Sequence, residues 1–325
     1  MSPGRRIRSL SRSLRRAWGS RRSSPSNGSG FIRVILSGRD LLELARTAGP
    51  ASTLTQSRRS GTPEVLPGPV QPKVDRRRAA YIRQMEGRVT RVGDTVRRPL
   101  ERWSASVHDL LRHLERKGFP SPHVLDVVGD VEVLSWIEGE SGDEGWAKVV
   151  PERGLRKWGH FLRTYHDAVA DFLPAAGSVW SSGIGTCGDG ELVCHGDFGP
   201  WNAVWDGDEI VGLIDWDHAR PAPALFDVAY GLEYAAPFRS DAESMDDLGH
   251  PGPPDRRRRV EVFCEGYGID VPADLVTQVA RQQRQISQTV EKLASEGVEP
   301  QLSWVREGYL DELAERVRFT ESLRL

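Results

Sequence analysis

The feature that most restricts the fold of this chain is a short β-hairpin pattern inside residues 191–219. Two strand-like runs, Asn202–Trp205 and Glu209–Ile214, flank Asp206-Gly207-Asp208. Asp and Gly in this arrangement are typical of a turn between antiparallel strands. We therefore expect a hairpin with a three-residue turn.

That turn length places Trp205 opposite Glu209, and the same register can be followed to the open end of the hairpin. The open end gathers oxygen-bearing side chains: Asp197, Asn202 and Asp215, with Asp217 as a further candidate. Carboxylates repel one another, so such a cluster needs a compensating cation. Mg²⁺ prefers oxygen ligands and usually takes one or two from the protein and others from substrate phosphates. The residues thus predict a Mg²⁺–phosphate site, in which a carboxylate free of metal can accept a hydroxyl proton.

Three segments in this region resemble those of a known enzyme family. The run from His195 to Asn202 resembles the catalytic loop of the aminoglycoside phosphotransferase and choline kinase family. Its Asp197 and Asn202 are spaced as the Asp and Asn of the protein-kinase catalytic loop. Ile214–Asp217 resembles the metal-binding segment of the family, and Pro221–Ala229 the segment that follows it.

The resemblance implies a role for each member of the acidic cluster. Asp197 would orient the substrate hydroxyl and accept its proton. Asn202 and Asp215 would hold Mg²⁺ against the phosphates of ATP. Asp217 would be a second metal ligand or a partner just outside the metal shell.

The resemblance also implies roles outside that cluster, and here the chain departs from the family pattern. His195 and Asp227 would brace the catalytic loop. Kinase-like folds usually pair a strand Lys with a Glu on the following helix. This strand has no Lys, so Arg98 or Arg97 is expected to contact the nucleotide phosphates, and His108 stands near the place of the Glu. Arg can hold phosphate through two hydrogen bonds, so the exchange is chemically tolerable.

The expected fold class is α+β, a protein-kinase-like bilobal fold with a small β-rich N-lobe and a mostly helical C-lobe. Three regions are predicted: a basic, disordered extension (1–75), a nucleotide-binding lobe (76–138) and a helical catalytic and substrate lobe (139–325). Strand patterns occur at 87–98, 124–128 and 131–137, and helix patterns occur at 104–118, 146–172, 258–285 and 302–324. In the first helix we expect Ser104 or Ser106 to cap the N-terminus, and Gly118 to end it.

Composition excludes several classes of protein. The chain has 325 residues, of which 38% are hydrophobic and 28% charged, as in a globular protein. No apolar run is long enough for a transmembrane helix. Three cysteines without a CxxC pair suit a reducing compartment, and we expect a cytoplasmic location.

The charge is distributed unevenly along the chain. Residues 1–39 contain ten arginines and no acidic residue, although the net charge of the chain is only −2. A contact with nucleic acid or an anionic membrane is one interpretation of this basic segment. The alternatives are a mobile tail or an upstream start codon. Because arginine is enriched throughout the chain, we do not expect a nucleic-acid partner.

The expected function is an ATP- and Mg²⁺-dependent transfer of the γ-phosphoryl group to a hydroxyl of a small molecule. The alternative is a pseudokinase that binds a nucleotide or a partner without turnover, since the usual Lys and Glu are missing. Acidic residues are frequent in 239–255, which would suit a cationic acceptor, and the alternative is a solvated loop. The identity of the acceptor and the choice between ATP and GTP stay open.

Three other signals are interpreted as structural. Residues 183–188 match GxGxxG but precede a strand, whereas a dinucleotide fingerprint follows one. His160 and His166 do not have the spacing of metal ligands on a helix, and His166 is expected to be packed. Cys194 lies in an apolar strand and is expected in the core.

Overall fold

The computed structural model describes residues 89–246 and 248–325. The predicted extension 1–75 and the first residues of the predicted nucleotide-binding lobe lie outside the described residues. No helix in these two ranges is long and apolar enough to cross a membrane.

The first structural layer is a four-stranded antiparallel sheet. Its strands are β1 (Thr90–Val92), β2 (Thr95–Pro99), β3 (Val124–Val128) and β4 (Val131–Ser135). Their order across the sheet is β1-β2-β4-β3, so β2 and β4 are central. The turns at Gly93 and Gly129 have positive φ, as expected where Gly-Asp connects two strands. The predicted strands are confirmed.

One helix, α1 (Ser104–Lys117), connects the two halves of this sheet. Its predicted apolar stripe is confirmed, and the members are each at most 1% exposed: Val107, Leu110, Leu111 and Leu114. Full burial of such a side chain stabilises the fold by about 1.5–3 kcal/mol. Gly118 ends the helix in the left-handed conformation, as predicted. The predicted serine cap is wrong, because Trp103 is the N-cap and the Ser104 hydroxyl accepts from the Glu101 amide.

The rest of the chain is mostly helical. Its helices are α2 (Asp143–Val149), α3 (Glu152–Val169), α4 (Leu225–Ala235), α5 (Asp241–Asp246), α6 (Arg256–Tyr267), α7 (Leu275–Ser295), α8 (Gln301–Arg306) and α9 (Tyr309–Ser322). Each of the three long helices predicted here is two helices. Pro151, Gly268 and Gly308 lie at the breaks, because Pro lacks an amide hydrogen and both glycines have positive φ.

The predicted hairpin of residues 202–214 forms, but its predicted register is wrong. Strands β8 (Ala203–Asp206) and β9 (Glu209–Leu213) are joined by the two-residue turn Gly207-Asp208. Asp206 therefore pairs with Glu209, and a bulge shifts the register so that Ala203 pairs with Leu213. A bulge inserts one extra residue into one strand, which pattern reading does not detect. The open end of the hairpin still brings residue 202 next to residue 214.

Two short strand pairs complete the architecture. Strands β5 (Val179–Trp180) and β6 (Gly183–Ile184) form a hairpin, and β7 (Glu191–Cys194) pairs with β10 (Arg220–Pro223). The β7–β10 pair was not predicted, because β10 contains two prolines and reads as a loop.

Helices α3 and α6 approach each other closely in the helical part. A Cβ on Gly159 would lie 2.3 Å from the carbonyl oxygen of Phe263, and one on Gly266 would lie 2.2 Å from that of Arg156. The two glycines thus allow backbone contact. The fold is α+β and protein-kinase-like, with a small sheet-rich lobe and a mostly helical lobe.

Candidate active site

The predicted catalytic loop begins directly after β7 and ends in a 3₁₀ turn, Pro200–Asn202. This turn brings Asn202 back toward Asp197. The Asn202 side-chain amide donates to the Asp197 carbonyl oxygen at 2.9 Å and to its carboxylate at 2.8 Å. The spacing of these two residues therefore closes a loop that fixes the direction of the Asp197 carboxylate.

The other oxygen of the Asp197 carboxylate accepts a hydrogen bond from the hydroxyl of Tyr230 on α4. Burial and the adjacent Asp197 raise the pKa of Tyr230 well above its usual value, so the phenol stays protonated and donates. Sequence reasoning missed this residue. The signal was available, since Tyr230 lies one helical turn after Asp227, on the same side of the helix.

Asp227 anchors the start of the predicted catalytic loop. Its carboxylate accepts the backbone amides of His195 at 2.7 Å and Gly196 at 2.9 Å. The fully buried Asp227 also contacts His166 Nε2 at 3.3 Å. His166 is buried and hydrogen-bonded, as expected from its spacing.

His195 connects the catalytic loop to the segment after β9. Its Nδ1 accepts the Asp197 amide at 3.3 Å, and its Nε2 donates to the Ile214 carbonyl at 3.1 Å. Burial lowers the pKa of His195, so the imidazole is neutral and this donor–acceptor pattern requires the Nε2–H tautomer. The geometry agrees with a bracing role.

Gly196 occupies a position that no other residue can take without moving the loop. Its φ is +80°, and a Cβ built there would lie 1.9 Å from the carbonyl oxygen of His218. The catalytic loop and the segment carrying Asp215 and Asp217 are therefore in backbone contact at this point.

Asp215 is the only non-glycine residue in the described ranges with a positive φ, at +64°. Strained backbone of this kind costs of the order of 1–3 kcal/mol and is found mainly at functional sites. Burial, Asp217 and Asp197 together raise the pKa of Asp215 to about 6, although Arg98 opposes the shift. A divalent cation would remove this repulsion, so the oxygen donors here fit a hard metal ion such as Mg²⁺.

Arg98 lies beside this cluster, on the central strand β2. Its guanidinium makes two hydrogen bonds to Asp217, at 3.1 and 2.9 Å, and a third to Glu132. Arg97 points to the opposite face of the sheet, since strand side chains alternate, and it is exposed. Of the two candidate arginines, only Arg98 is next to the acidic cluster.

Glu132 is the buried partner of Arg98, and sequence reasoning missed it. The two residues are directly opposite on β4 and β2, and Glu132 is 1% exposed. Its other carboxylate oxygen contacts Nε2 of His108 on α1. The acid that pairs with the strand cation thus comes from the neighbouring strand, and the helix supplies a histidine. The sequence feature that could have revealed Glu132 is its position two residues before Leu134, on the face of the strand that points to the core.

Two comparisons of sequence identify the family. The profile of the phosphotransferase enzyme family matches residues 189–261, which contain the predicted catalytic loop and the predicted metal-binding segment. The trifolitoxin immunity protein of Rhizobium leguminosarum bv. trifolii is 37% identical over 188 residues, which are 56% of this chain and 70% of that protein. The chain belongs to the phosphotransferase enzyme family. It is a small-molecule phosphotransferase, so the expected class of enzyme is confirmed.

Solved structures of phosphotransferases are similar to this one at low sequence identity. An aminoglycoside phosphotransferase from Streptomyces rimosus has a TM-score of 0.42 and 19% identity, over 61% of this chain and 88% of that one. A choline/ethanolamine kinase family protein from Mesorhizobium loti has a TM-score of 0.44 and 16% identity, over 72% and 85% of the two chains.

Three of the acidic residues in 239–255 have local structural partners in this phosphotransferase. Asp241 pairs with Arg256 at 2.8 Å, and Glu243 accepts hydrogen bonds from the backbone and hydroxyl of Ser240. Asp255 caps α6. These three carboxylates already have partners within the chain, and the cationic acceptor stays a prediction.

The remaining signals are placed as expected. Residues 183–188 of the phosphotransferase form β6 and a largely exposed loop, and Ile184 is 77% exposed. Cys194 is fully buried, and burial raises the pKa of its thiol well above the usual range. Neither feature is placed to bind a phosphate.

Proposed function

We propose that this phosphotransferase moves the γ-phosphoryl group of ATP, with Mg²⁺, to a hydroxyl of a small molecule. The observation that carries the proposal is the cluster of Asp197, Asn202 and Asp215 at the open end of the β8–β9 hairpin, beside Arg98. Phosphoryl transfer needs little covalent chemistry from the protein, so positioning and charge neutralisation account for most of the catalysis.

Asp197 is proposed to orient the acceptor hydroxyl and accept its proton. Its carboxylate is oriented by two donors, Asn202 and Tyr230, from the catalytic loop and α4. Both donors leave lone pairs of the carboxylate for a third hydrogen bond. General-base assistance of this kind is worth about 10²–10⁴-fold in rate.

Asn202 and Asp215 are proposed to hold Mg²⁺. The Asn202 amide nitrogen already donates to Asp197, so its amide oxygen is the atom that remains for a metal. Asp215 supplies a carboxylate in an environment that favours a nearby positive charge. When bound, the metal ion neutralises phosphate charge.

Arg98 is proposed to contact the phosphates in place of the usual lysine. Glu132 fixes the guanidinium from the sheet, and Asp217 fixes it from the helical lobe. Because Asp217 already binds Arg98 through both oxygens, we propose that it positions Arg98 and the metal-binding segment rather than binding a second metal.

The test is transfer activity in Asp197→Asn. We expect a loss of about 10²–10⁴-fold in the release of ADP with a broad panel of hydroxyl acceptors, because the base is removed. Calorimetric affinity for MgATP should stay close to that of the wild type. Asp206→Asn, at the exposed end of β8 in the same hairpin, is the matched control and should retain full activity.

The metal assignment needs a separate measurement. Nucleotide binding should require Mg²⁺ in the wild type, and Asp215→Ala should lose this dependence. Full transfer by Asp197→Asn, or binding of ATP that does not respond to Mg²⁺ in the wild type, would contradict the proposal.

A second proposal concerns the biological acceptor. The 37% identity to a protein named as a toxin immunity protein favours an acceptor that is toxic to the host cell. Phosphorylation of its hydroxyl would then protect the cell. Expression of the wild type should protect a sensitive bacterium, and Asp197→Asn should not. Equal protection by both would indicate binding without transfer.

A further inference from the structure

A buried group of polar side chains lies next to Asp197 and has no part in the proposed chemistry. It comes from α4, the loop after α4, α7 and α9. We call these residues the α4–α7 polar cluster, and its members are Glu233, Arg239, Gln283 and Arg316.

The cluster is connected to Asp197 by aromatic side chains. Tyr230 and Tyr234 lie one turn apart on α4, with ring centroids 5.4 Å apart. Trp201, from the catalytic loop, packs its edge against Tyr234 at 4.6 Å. One helical turn advances about 5.4 Å, so the cluster begins roughly one turn beyond the proposed reaction centre.

Arg239 is a buried cation of the cluster with an unsatisfied side-chain nitrogen. Arg239 is 6% exposed, and its guanidinium lies 4.7 Å from the ring centroid of Tyr234. Nε has no hydrogen-bond partner, and the side chain forms no ion pair within the described ranges. Burying a charged group without a partner is costly, so a site of this kind is expected to have an external one.

Gln283 lies beside Glu233 in the same place, and its amide is incompletely hydrogen-bonded. It interrupts the buried stripe of α7, between Val279 and Ile286. Gln283 is 2% exposed, and it lies close enough to Glu233 to favour the charged form of that carboxyl. Neither the nitrogen nor the oxygen of its amide makes a hydrogen bond of normal geometry to a described residue. Buried amides are almost always hydrogen-bonded, and an exception points to a water molecule or a ligand.

The charges of the cluster determine which ligand it can take. Arg239 and Arg316 both lie close enough to Glu233 to favour its charged form. Burial raises the pKa of Glu233, which weakens its negative charge further. Arg316 already interacts with Tyr309, so Arg239 is the cation left for a ligand. The cluster is therefore net positive and has both donor and acceptor groups.

We propose that Arg239 and Gln283 bind a carboxylate of the acceptor, whose hydroxyl lies at Asp197. This proposal rests on the proposed function, because it assigns the specificity of the same site. The acceptor class is then a hydroxy acid with its two groups separated by several bonds, rather than an amino alcohol or an aminoglycoside. The aromatic side chains would cover the apolar part between the two groups.

The experiment uses three probes with one ring and different charges. They are 4-(hydroxymethyl)benzoate, 4-(hydroxymethyl)benzamide and 4-(hydroxymethyl)benzylamine. Binding to the full chain is measured by calorimetry without nucleotide. We expect the benzoate to bind at least about tenfold more tightly than the benzamide, since hydrogen bonds to charged groups are the stronger ones. The benzylamine should bind least.

Variants then assign the charge. Arg239→Gln should weaken binding of the benzoate by about 10–100-fold and leave the benzamide unchanged. Arg239→Lys should restore part of the affinity. Arg318→Gln, on the exposed side of α9, is the control and should bind like the wild type.

Stability provides an independent readout. Because Arg239 forms no ion pair with a described residue and its Nε is unsatisfied, Arg239→Gln should keep or raise the midpoint of thermal unfolding. A strong decrease in that midpoint would show that Arg239 serves the fold and would overturn the proposal. Preference for the benzylamine, equal affinity of Arg239→Gln for the benzoate, or no binding of the benzoate at millimolar concentration would overturn it too.

Different results would refute the proposed function. It depends on Mg²⁺-dependent binding of ATP and on the loss of transfer in Asp197→Asn, neither of which uses Arg239. Probe binding without nucleotide does not depend on transfer.

Discussion

The substitution Glu132→Gln tests whether the buried pair between strands β2 and β4 holds the small lobe together. Gln has the shape of Glu but no charge. Arg98 would keep its two hydrogen bonds to Asp217 and lose the negative charge of its strand partner. His108 would lose the carboxylate that faces its Nε2.

The burial of the pair sets the size of the effect. The Glu132 side chain is 1% exposed and that of Arg98 is 15% exposed, so water cannot replace the lost partner. Removing one member of a buried ion pair costs about 3–5 kcal/mol. Since Asp217 still compensates Arg98, we expect the lower end, about 3 kcal/mol. For a folded body of this size, that is a decrease of about 6–12 °C in the midpoint of thermal unfolding.

An exposed ion pair between β1 and the segment after β4 provides the control. Arg91 and Glu138 are 3.0 Å apart, but the Glu138 side chain is 68% exposed. Exposed pairs contribute at most about 1 kcal/mol, so Glu138→Gln should change the midpoint by no more than a few degrees. Free energies of unfolding from urea titrations would measure both variants. Equal losses, or no loss in Glu132→Gln, would refute the assignment of Glu132 as a buried structural anion.

Two further predictions concern pH and the catalytic loop. Burial and nearby Arg256 and Arg259 lower the pKa of His250 to about 4. Between pH 6.5 and 4 the unfolded chain therefore binds a proton that the folded one excludes, and stability should fall with decreasing pH by at most about 3 kcal/mol. His250→Gln should flatten this slope in urea titrations, and a slope that persists in the variant would assign it to other groups. Gly196→Ala should lower transfer by about 100-fold or more, because the loop must move away from the His218 carbonyl. Gly207→Ala, at positive φ in open space, should cost stability only, and equal activity losses in the two alanine variants would contradict this reasoning.

Local sequence patterns predicted most of the elements and the members of the acidic cluster. The alternation of apolar residues indicated the strands, and the i, i+3, i+4 stripe indicated α1. The Asp197–Asn202 spacing was sufficient to place those two side chains together, because a loop of that length returns on itself through a 3₁₀ turn.

The errors share one cause. The chain turns where its packing requires it, and the apolar periodicity of the sequence continues across these points. They are the helix breaks at Pro151, Gly268 and Gly308 and the bulge in the hairpin. A register derived from turn length alone fails when one strand contains an extra residue.

The sequence alone was sufficient to predict which residues form the proposed reaction centre, because they lie close together in the chain. The partners of these residues became visible only in the folded structure. Glu132 opposite Arg98, Tyr230 on Asp197 and Arg239 over Tyr234 join separate elements of the fold. Local periodicity and spacing contain no information about such contacts. Hydrogen bonds and charges act over a few ångströms in space, and only the folded chain places those groups within that range.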